Sequence, residues 1–371
     1  IMQCILFLLT SPAPYGAEHS ILSNINYLVK KKKIKPIFII RNNGVLEKYL
    51  IKKKYQYFII PFFFFFSIRK YNLIKAVIKL ILNIFFAFFV FVKLKNKKID
   101  TVYTNCFTTH FGILISILLG SKHIFHIREL GEKWGYKFDF SKKIVMYFSN
   151  KYSNKIFVNS EFLYNRFKNT ILREKLKIIP NPIDDKFVNI NKFSFKDRIK
   201  IIYIGRLEDD QNPLSLTIIA SKLIKYNFKI DVYGEGSLKE KLKEKIIQKN
   251  LSDFIKIKNY KLNINKILNN YNIGLSLGKH QTFNRTIIEF MKSGIVVLAN
   301  KSGNNINIIN NNYNGYLIPL NNVSLIQKKL KDLFSNQSLI KKIGNRAFRS
   351  YKFRFTVKES SEILLKNLYE K

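Results

Sequence analysis

Cysteine is nearly absent: the 371 residues hold two, Cys4 and Cys106. They lie too far apart for a metal-ligand spacing or a disulfide framework, and they point to a reducing compartment. Acidic residues are scarce as well, 24 Asp+Glu against 65 Lys+Arg, for a formal net charge of +41. No D-x-D pair of the kind that holds a metal ion occurs. The uninterrupted apolar run Ile84–Val92 falls far short of the roughly 20 residues that a membrane span needs. The opening IMQCILFLLTSPAPYGAEHS lacks the basic start and small-residue cleavage site of a signal peptide and reads as a buried strand, Gln3–Leu9, running into a loop. The lysines are spread along the chain rather than gathered in one tail, and no zinc-finger or aromatic RNA-binding signature accompanies them, which argues against a dedicated nucleic-acid binder. A field of this sign does favour anionic partners such as phosphorylated substrates or anionic lipid.

Apolar material is abundant, at 47% hydrophobic and 15% aromatic residues. Runs rich in Ile, Val and Phe recur between longer helical patterns. In the first half they are Gln3–Leu9, Lys35–Ile40, Tyr55–Pro61, Asp100–Asn105, His123–Arg128, Lys155–Asn159 and Leu176–Pro180. In the second half they are Lys200–Ile204, Lys229–Tyr233, Phe254–Lys258, Ile273–Leu277, Ile295–Ala299 and Gly315–Pro319. Such runs predict strands buried on both faces, and their alternation with helices predicts parallel sheets. The pattern restarts after the polar stretch Asn181–Arg198. The expected fold class is α/β, with two doubly wound Rossmann-like domains facing across a cleft. Ligands of such sheets sit beyond the carboxyl ends of the strands, so the residues just after strands are the first functional candidates.

The segment Ile59–Lys95 is unusual in its aromatic density: PFFFFFS (61–67) is followed by NLIKAVIKLILNIFFAFFVFVK (72–93). Besides a true transmembrane helix, which the short uninterrupted run disfavours, it admits two readings. One is a buried helix with a hydrophobic loop. The other is a surface that dips into a bilayer, with Lys52–Lys54, Lys70 and Lys93–Lys98 on anionic headgroups.

Five stretches carry candidate chemistry. In IIYIGRLEDDQNPLSL (201–216), Arg206 follows a strand and can reach a phosphate as a charged fork, and Asn212 is a candidate N-cap for a helix near Pro213. In IDVYGEGSLKEKL (230–242), a Gly-Glu-Gly turn precedes Ser237-x-x-Glu240, which reads as a capping box. In HQTFNRTIIEFMKSG (280–294), a helix is expected from Asn284–Arg285 to a C′ cap at Gly294, its free amides forming an anion site, with Glu289 able to accept the two hydrogen bonds of a ribose diol. In the first half, Gly16 turns the chain after the first strand, and FHIRELGEKW (125–134) puts His126 at a strand end with Arg128 and Glu129 beyond it.

Taken in order, YGAEHS, HIRE, IIPNPID, YIGRL, YGEGS, Q-x-F-N-R-x-x-x-E, SGIVVLA and NGYLIP resemble the family-four retaining glycosyltransferases, the glycosyl transferases group 1 of GT-B fold. The resemblance implies an acceptor-side domain over 1–184, a nucleotide-sugar domain over 185–352, and a final helix in 353–371 that crosses back to the first domain. It implies a metal-independent hexosyltransferase with no cofactor, working in the cytoplasm on the inner membrane face. The donor is a nucleotide-sugar and the acceptor a lipid-linked or cell-surface polysaccharide; the lysine-flanked apolar segment, read from its residues, adds an anionic membrane surface as a partner. Arg206 would meet the diphosphate, Glu289 the ribose, and Phe283, Asn284 and Arg285 the phosphate and sugar. Gly16 would lie near the donor, His126 would contact the transferring sugar, and Glu18 or Arg128 would face the acceptor. The chain departs from the pattern at Gln211, where the family has a phosphate-binding lysine. It also departs at Gln281, its first acid; at Asn284, its glycine, where Asn tolerates a left-handed backbone; and at Asn307, a downstream glutamate. These departures motivate an alternative, a degenerate GT-B protein that binds nucleotide-sugar or a partner transferase without turnover.

Overall fold

The computed structural model describes residues 2–11, 16–67, 73–129, 137–184, 198–258, 265–279 and 282–370. The chain divides into two compact units, one of Ile1–Pro182 with Val357–Lys371 and one of Ile183–Thr356.

The strands of the first unit are β1 (Gln3–Leu9), β2 (Ile34–Ile40), β3 (Gln56–Ile59), β4 (Phe66–Ser67), β5 (Thr101–Thr104), β6 (Lys122–Ile127), β7 (Lys137–Phe138), β8 (Lys155–Val158) and β9 (Leu176–Ile178). Seven of them form a parallel sheet in the order β3-β2-β1-β5-β6-β8-β9. Alternate residues of β1 enter different cores: Ile5, Phe7 and Leu9 pack with the helix Gly16–Lys30, while Leu6 and Leu8 pack with Phe62, Ala87 and Phe111. Burying both faces is what a near-continuous apolar run requires, and each such side chain contributes on the order of 1.5–3 kcal/mol. The short pair β4 and β7, antiparallel at Phe66↔Phe138, lies outside the pattern expected from the sequence, because two residues are too few to show a period. The last helix, Val357–Tyr369, belongs to this unit. Leu364 and Leu368 join its core, and Ser360 and Ser361 bracket the amide of Asn24 at 3.1 and 3.0 Å.

The second unit holds β10 (Ile199–Ile204), β11 (Phe228–Tyr233), β12 (Ile255–Lys258), β13 (Ile273–Ser276), β14 (Val296–Asn300) and β15 (Tyr316–Ile318). Their parallel order, β12-β11-β10-β13-β14-β15, is the doubly wound 3-2-1-4-5-6 arrangement, whose direction reverses between β10 and β13. The same reversal falls between β1 and β5 in the first sheet. Every one of the thirteen strands expected from the sequence is present, within two residues at either end.

One helix separates the readings that the sequence left open and departs from the buried one. Leu73–Leu94 is a single helix whose inward face is narrow, carrying Ala76, Asn83, Ala87, Val90 and Leu94. Lys79 and Asn83, the residues that interrupt the apolar pattern, anchor it: Asn83 accepts from the amide of Phe63 (2.8 Å) and donates to its carbonyl (3.0 Å), and Lys79 pairs with Asp139 at 2.6 Å. Its apolar residues largely face outward. The phenylalanine run before it does the opposite: Phe62 and Phe65 are buried.

Candidate active site

In the second unit the candidate groups surround the reversal point. Beyond β10 and β11 the backbones stay zipped, with Gly205 N–H on the Tyr233 carbonyl (3.1 Å) and Leu207 N–H on that of Glu235 (2.8 Å). The approach is close enough to demand glycine: a Cβ on Gly234 would stand 1.9 Å from the Gly205 carbonyl oxygen. Arg206, exposed at the end of β10, forks onto Asp210 at 3.0 and 3.3 Å. Asp210 lies in a 3₁₀ turn, Asp209–Gln211, where it also accepts from the Gln211 amide at 2.9 Å. Lys279, beyond β13, donates its backbone N–H to the Asp210 carbonyl (2.8 Å). Two strand-end loops and the position of the family's lysine, here Gln211, are thereby tied together.

Two expected caps are replaced. Asn212 adopts a left-handed conformation (φ 53°) that closes the 3₁₀ turn, and the next helix is Ser215–Ser221. Ser237 does not form a box with Glu240. Its N–H and hydroxyl bind Glu208 at 2.9 and 2.6 Å, and the helix starts later, at Lys239. Those two hydrogen bonds hold the Glu208 carboxyl below its ordinary range.

The helix Arg285–Lys292 ends, as expected, ahead of a left-handed Gly294 (φ 68°). Its start differs. Asn284 is its N-cap at φ −87°, so the left-handed backbone expected there is not used. Its side-chain Oδ1 accepts from Ile287 N–H (3.4 Å), and its side-chain Nδ2 donates to Ser276 Oγ (2.8 Å) and Asn305 Oδ1 (3.1 Å). Asn305 in turn donates to the Asn300 carbonyl (2.9 Å), and Asn300 to the Leu277 carbonyl. The amides of Arg285 and Ile287 are both engaged, the former by the Phe283 carbonyl (3.1 Å), so the expected cluster of free helix amides is reduced. Phe283 is half-buried, its ring 6.5 Å from Phe355. Glu289 is buried and takes Arg285 Nε on Oε1 at 2.9 Å, while Oε2 has no hydrogen-bond partner among the described residues. Asn307 bonds Asn304 through its amide at 3.3 Å. Gln281 lies outside the described residues, as does most of the linking stretch before β10.

The first unit has its own polar nest at the reversal of its sheet. Glu18, in the first turn of Gly16–Lys30, accepts from Ser11 N–H (3.1 Å) and Thr10 Oγ1 (3.4 Å) beyond β1. Arg128, just beyond β6, is buried and donates Nε and Nη2 to Asn105 Oδ1 (3.0 and 2.8 Å) and Nη1 to Asn181. Burial pushes the Glu18 carboxyl up, an effect the nearby guanidinium opposes. A Cβ on Gly16 would meet nothing within 4 Å among the described residues, so packing does not demand glycine there. His126 lies within β6 rather than at its edge. It is 1% exposed, with Nδ1 2.5 Å from the Tyr103 hydroxyl. Burial holds its pKa well below the ordinary value, so the ring is neutral. Its Nε2 has no hydrogen-bond partner among the described residues.

Glu18 supplies a pH prediction. Its folded pKa is raised, so the folded state binds the proton more tightly than the unfolded chain does, and stability falls as pH rises from the ordinary carboxyl range through the raised value. Glu18→Gln is expected to raise the melting temperature at neutral pH by a few degrees, with the gain vanishing in acid. Melting curves across pH check it.

The profile of the family described as glycosyl transferases group 1 matches residues 185–350. The second unit is a glycosyl transferases group 1 domain. Around this group 1 domain the chain as a whole has the GT-B fold. HepE of Anabaena, solved in complex with UDP, superposes with a TM-score of 0.78 over 99% of both chains at 16% identity. Among curated relatives, poly(ribitol-phosphate) alpha-N-acetylglucosaminyltransferase of Staphylococcus aureus is 29% identical over 39% of this chain. UDP-Gal:alpha-D-GlcNAc-diphosphoundecaprenol alpha-1,3-galactosyltransferase of Escherichia coli is 26% identical over 62% of it. The matches span 30% and 65% of those proteins' lengths. Sequence reasoning missed Lys279 and the Asn284–Asn305–Asn300 brace of the group 1 domain; asparagines at the cap of the helix after β13, at the end of β14 and at the start of the next helix were the available signal, lost in an Asn-rich chain.

Proposed function

We propose that the chain is a retaining hexosyltransferase that moves sugar from a nucleotide-sugar to a lipid-linked or cell-surface polysaccharide acceptor in the cytoplasm. The carrying observation is that the reversal point of the group 1 domain presents an exposed arginine, Arg206, and that the same domain holds a buried carboxylate, Glu289, with one oxygen left to accept. The relatives' named donors and acceptors, and the UDP held by HepE, support this reading, with UDP-sugars the first to test.

In this reading Glu289 Oε2 accepts from the ribose diol and Arg206 holds the diphosphate. The bond from the sugar's anomeric carbon to the leaving phosphate oxygen breaks, and the acceptor oxygen bonds to that carbon on the same face. The acceptor's proton passes to the departing phosphate. Charge builds on the diphosphate, so fixed cations there lower the barrier. Gln211 brings none, and Asp210 offsets part of Arg206. Lys279, held against the same turn by its backbone, is the substitute cation. Glu18, Arg128 and His126 of the first unit are the candidate acceptor-side and sugar-side groups.

Removing one charged hydrogen bond costs about 1.5–3 kcal/mol. Lys279→Ala is therefore expected to reduce kcat/KM for donor by about tenfold or more, and adding Gln211→Lys to recover most of the loss. Steady-state kinetics of the single and double variants measure this; an unchanged Lys279→Ala would mean another group serves the diphosphate.

Transfer assays with UDP-, GDP- and other nucleotide-sugars, with bacterial lipid extract as acceptor, test the function. Release of nucleoside diphosphate together with an α-configured product from an α-configured donor is expected. Binding without turnover by any donor would favour the alternative of a degenerate GT-B protein, to which the Arg206–Asp210 pair and Gln211 lend weight.

A further inference from the structure

The helix Leu73–Leu94 is built inside out. Ile74, Ile78, Ile81, Phe85, Phe88 and Val92 form its outward line and are between 49% and 73% exposed. The apolar surface continues on both flanks, through Ile84 (51%) and Phe89 (44%). At 1.5 Å per residue the helix is about 33 Å long, and a contiguous exposed apolar face along it marks an interaction surface. Its polar residues are placed to fix it lengthwise on the first unit: Asn83 binds both polar groups of the Phe63 backbone, and Lys79 binds Asp139. A helix secured in this way along one face lies on a surface rather than crossing a bilayer.

Charge identifies the surface. Residues 48–99 contain twelve Lys or Arg and no Asp or Glu. Lys75 and Lys93 share one flank of the helix, on the same side as Lys79. Lys95, Lys97 and Lys98 follow its end, and all of these lysines except Lys79 are exposed. We propose that this helix is a docking element that lies in the interface of an anionic bilayer, its isoleucine and phenylalanine face at the acyl boundary and its lysines among the headgroups. A second copy of this chain is the other candidate occupant, and charge disfavours it, because pairing the helix with itself would bring two such basic segments together without an acid between them. The exposed face is also wider than the narrow seam that a helix pair covers. The inference extends the transferase reading without depending on it, since docking needs no donor.

The test is co-flotation of the full chain with vesicles of mixed phosphatidylglycerol and phosphatidylcholine, and with vesicles of phosphatidylcholine alone. Strong binding to the first and weak binding to the second is expected. Ile78→Ser/Phe85→Ser/Phe88→Ser, all at exposed positions, should keep the melting temperature and lower the bound fraction about tenfold or more, and Lys95→Glu/Lys97→Glu/Lys98→Glu should weaken binding in a salt-dependent way. A Phe88→Trp chain should gain emission that acyl-brominated lipid quenches. Failure of the parent chain to bind anionic vesicles would overturn the proposal, as would a serine variant that binds equally, or a vesicle-bound Phe88→Trp chain whose added emission is not quenched. A dimer abolished by the serine variant, without vesicle binding, would assign the face to a second copy instead.

Discussion

Glu289→Gln is expected to lower kcat/KM for the donor by about two to three orders of magnitude, chiefly through KM. A carboxylate gathering both hydroxyls of a ribose makes two charged hydrogen bonds, each worth about 1.5–3 kcal/mol, and every 1.4 kcal/mol is about tenfold. The neutral amide keeps the shape and one acceptor, so the loss is that of charge. In the free protein Glu289 Oε1 also holds Arg285 Nε at 2.9 Å, and Arg285 Nη1 is buried without a partner among the described residues. A modest fall in melting temperature should therefore accompany the kinetic loss. The ribose sits away from the reacting carbon, so turnover at saturating donor should move far less than KM. Steady-state kinetics with varied donor separate the two, and a KM within a factor of about three of the parent would remove Glu289 from the donor site.

Gly234→Ala carries the largest structural effect. Its new methyl would lie 1.9 Å from the Gly205 carbonyl oxygen and 3.3 Å from Leu207 Cγ. The nearest obstacle is backbone, so no side-chain rotation relieves it. The loops after β10 and β11 must part, breaking the bonds from Gly205 N–H to Tyr233 and from Leu207 N–H to Glu235. Overpacking of this kind costs about 1–3 kcal/mol and occasionally more, and Arg206 stands between the two bonds. Chemical unfolding should show the midpoint shift, and donor affinity should fall further than stability alone explains. A variant with native stability and native donor affinity would show that the close approach of these loops is not needed.

The strands were legible because burial on both faces requires continuous runs of branched and aromatic residues, and those runs stand out even in a lysine-rich chain. Placing Arg206 at a strand end and Glu289 in the helix that follows β13 came from the same pattern. Local polar geometry was less legible. Ser237-x-x-Glu240 has the letters of a capping box, but Glu208 reaches Ser237 from another loop, and no local pattern encodes that contact. Asn284 was expected to take a glycine's backbone and instead caps a helix while its amide bridges Ser276 and Asn305. His126 counts as a strand-end residue by position, yet it falls one residue inside β6 and binds Tyr103. For the helix Leu73–Leu94 the sequence left a buried and an outward-facing apolar reading open, for a physical reason. Composition reports how apolar a helix is, and only the packing of Asn83 and Lys79 reveals which side is held against the unit and that most of the apolar residues face outward.

The central claim is that the second unit holds a nucleotide diphosphate through Arg206 and Glu289. The most direct measurement is calorimetric titration of UDP and GDP into the full chain and into the Arg206→Ala/Glu289→Gln double variant. The account predicts saturable binding of at least one of them to the parent chain and its loss in a double variant that still melts cooperatively. Equal binding by both chains, or no binding of either nucleotide to the parent, would contradict it.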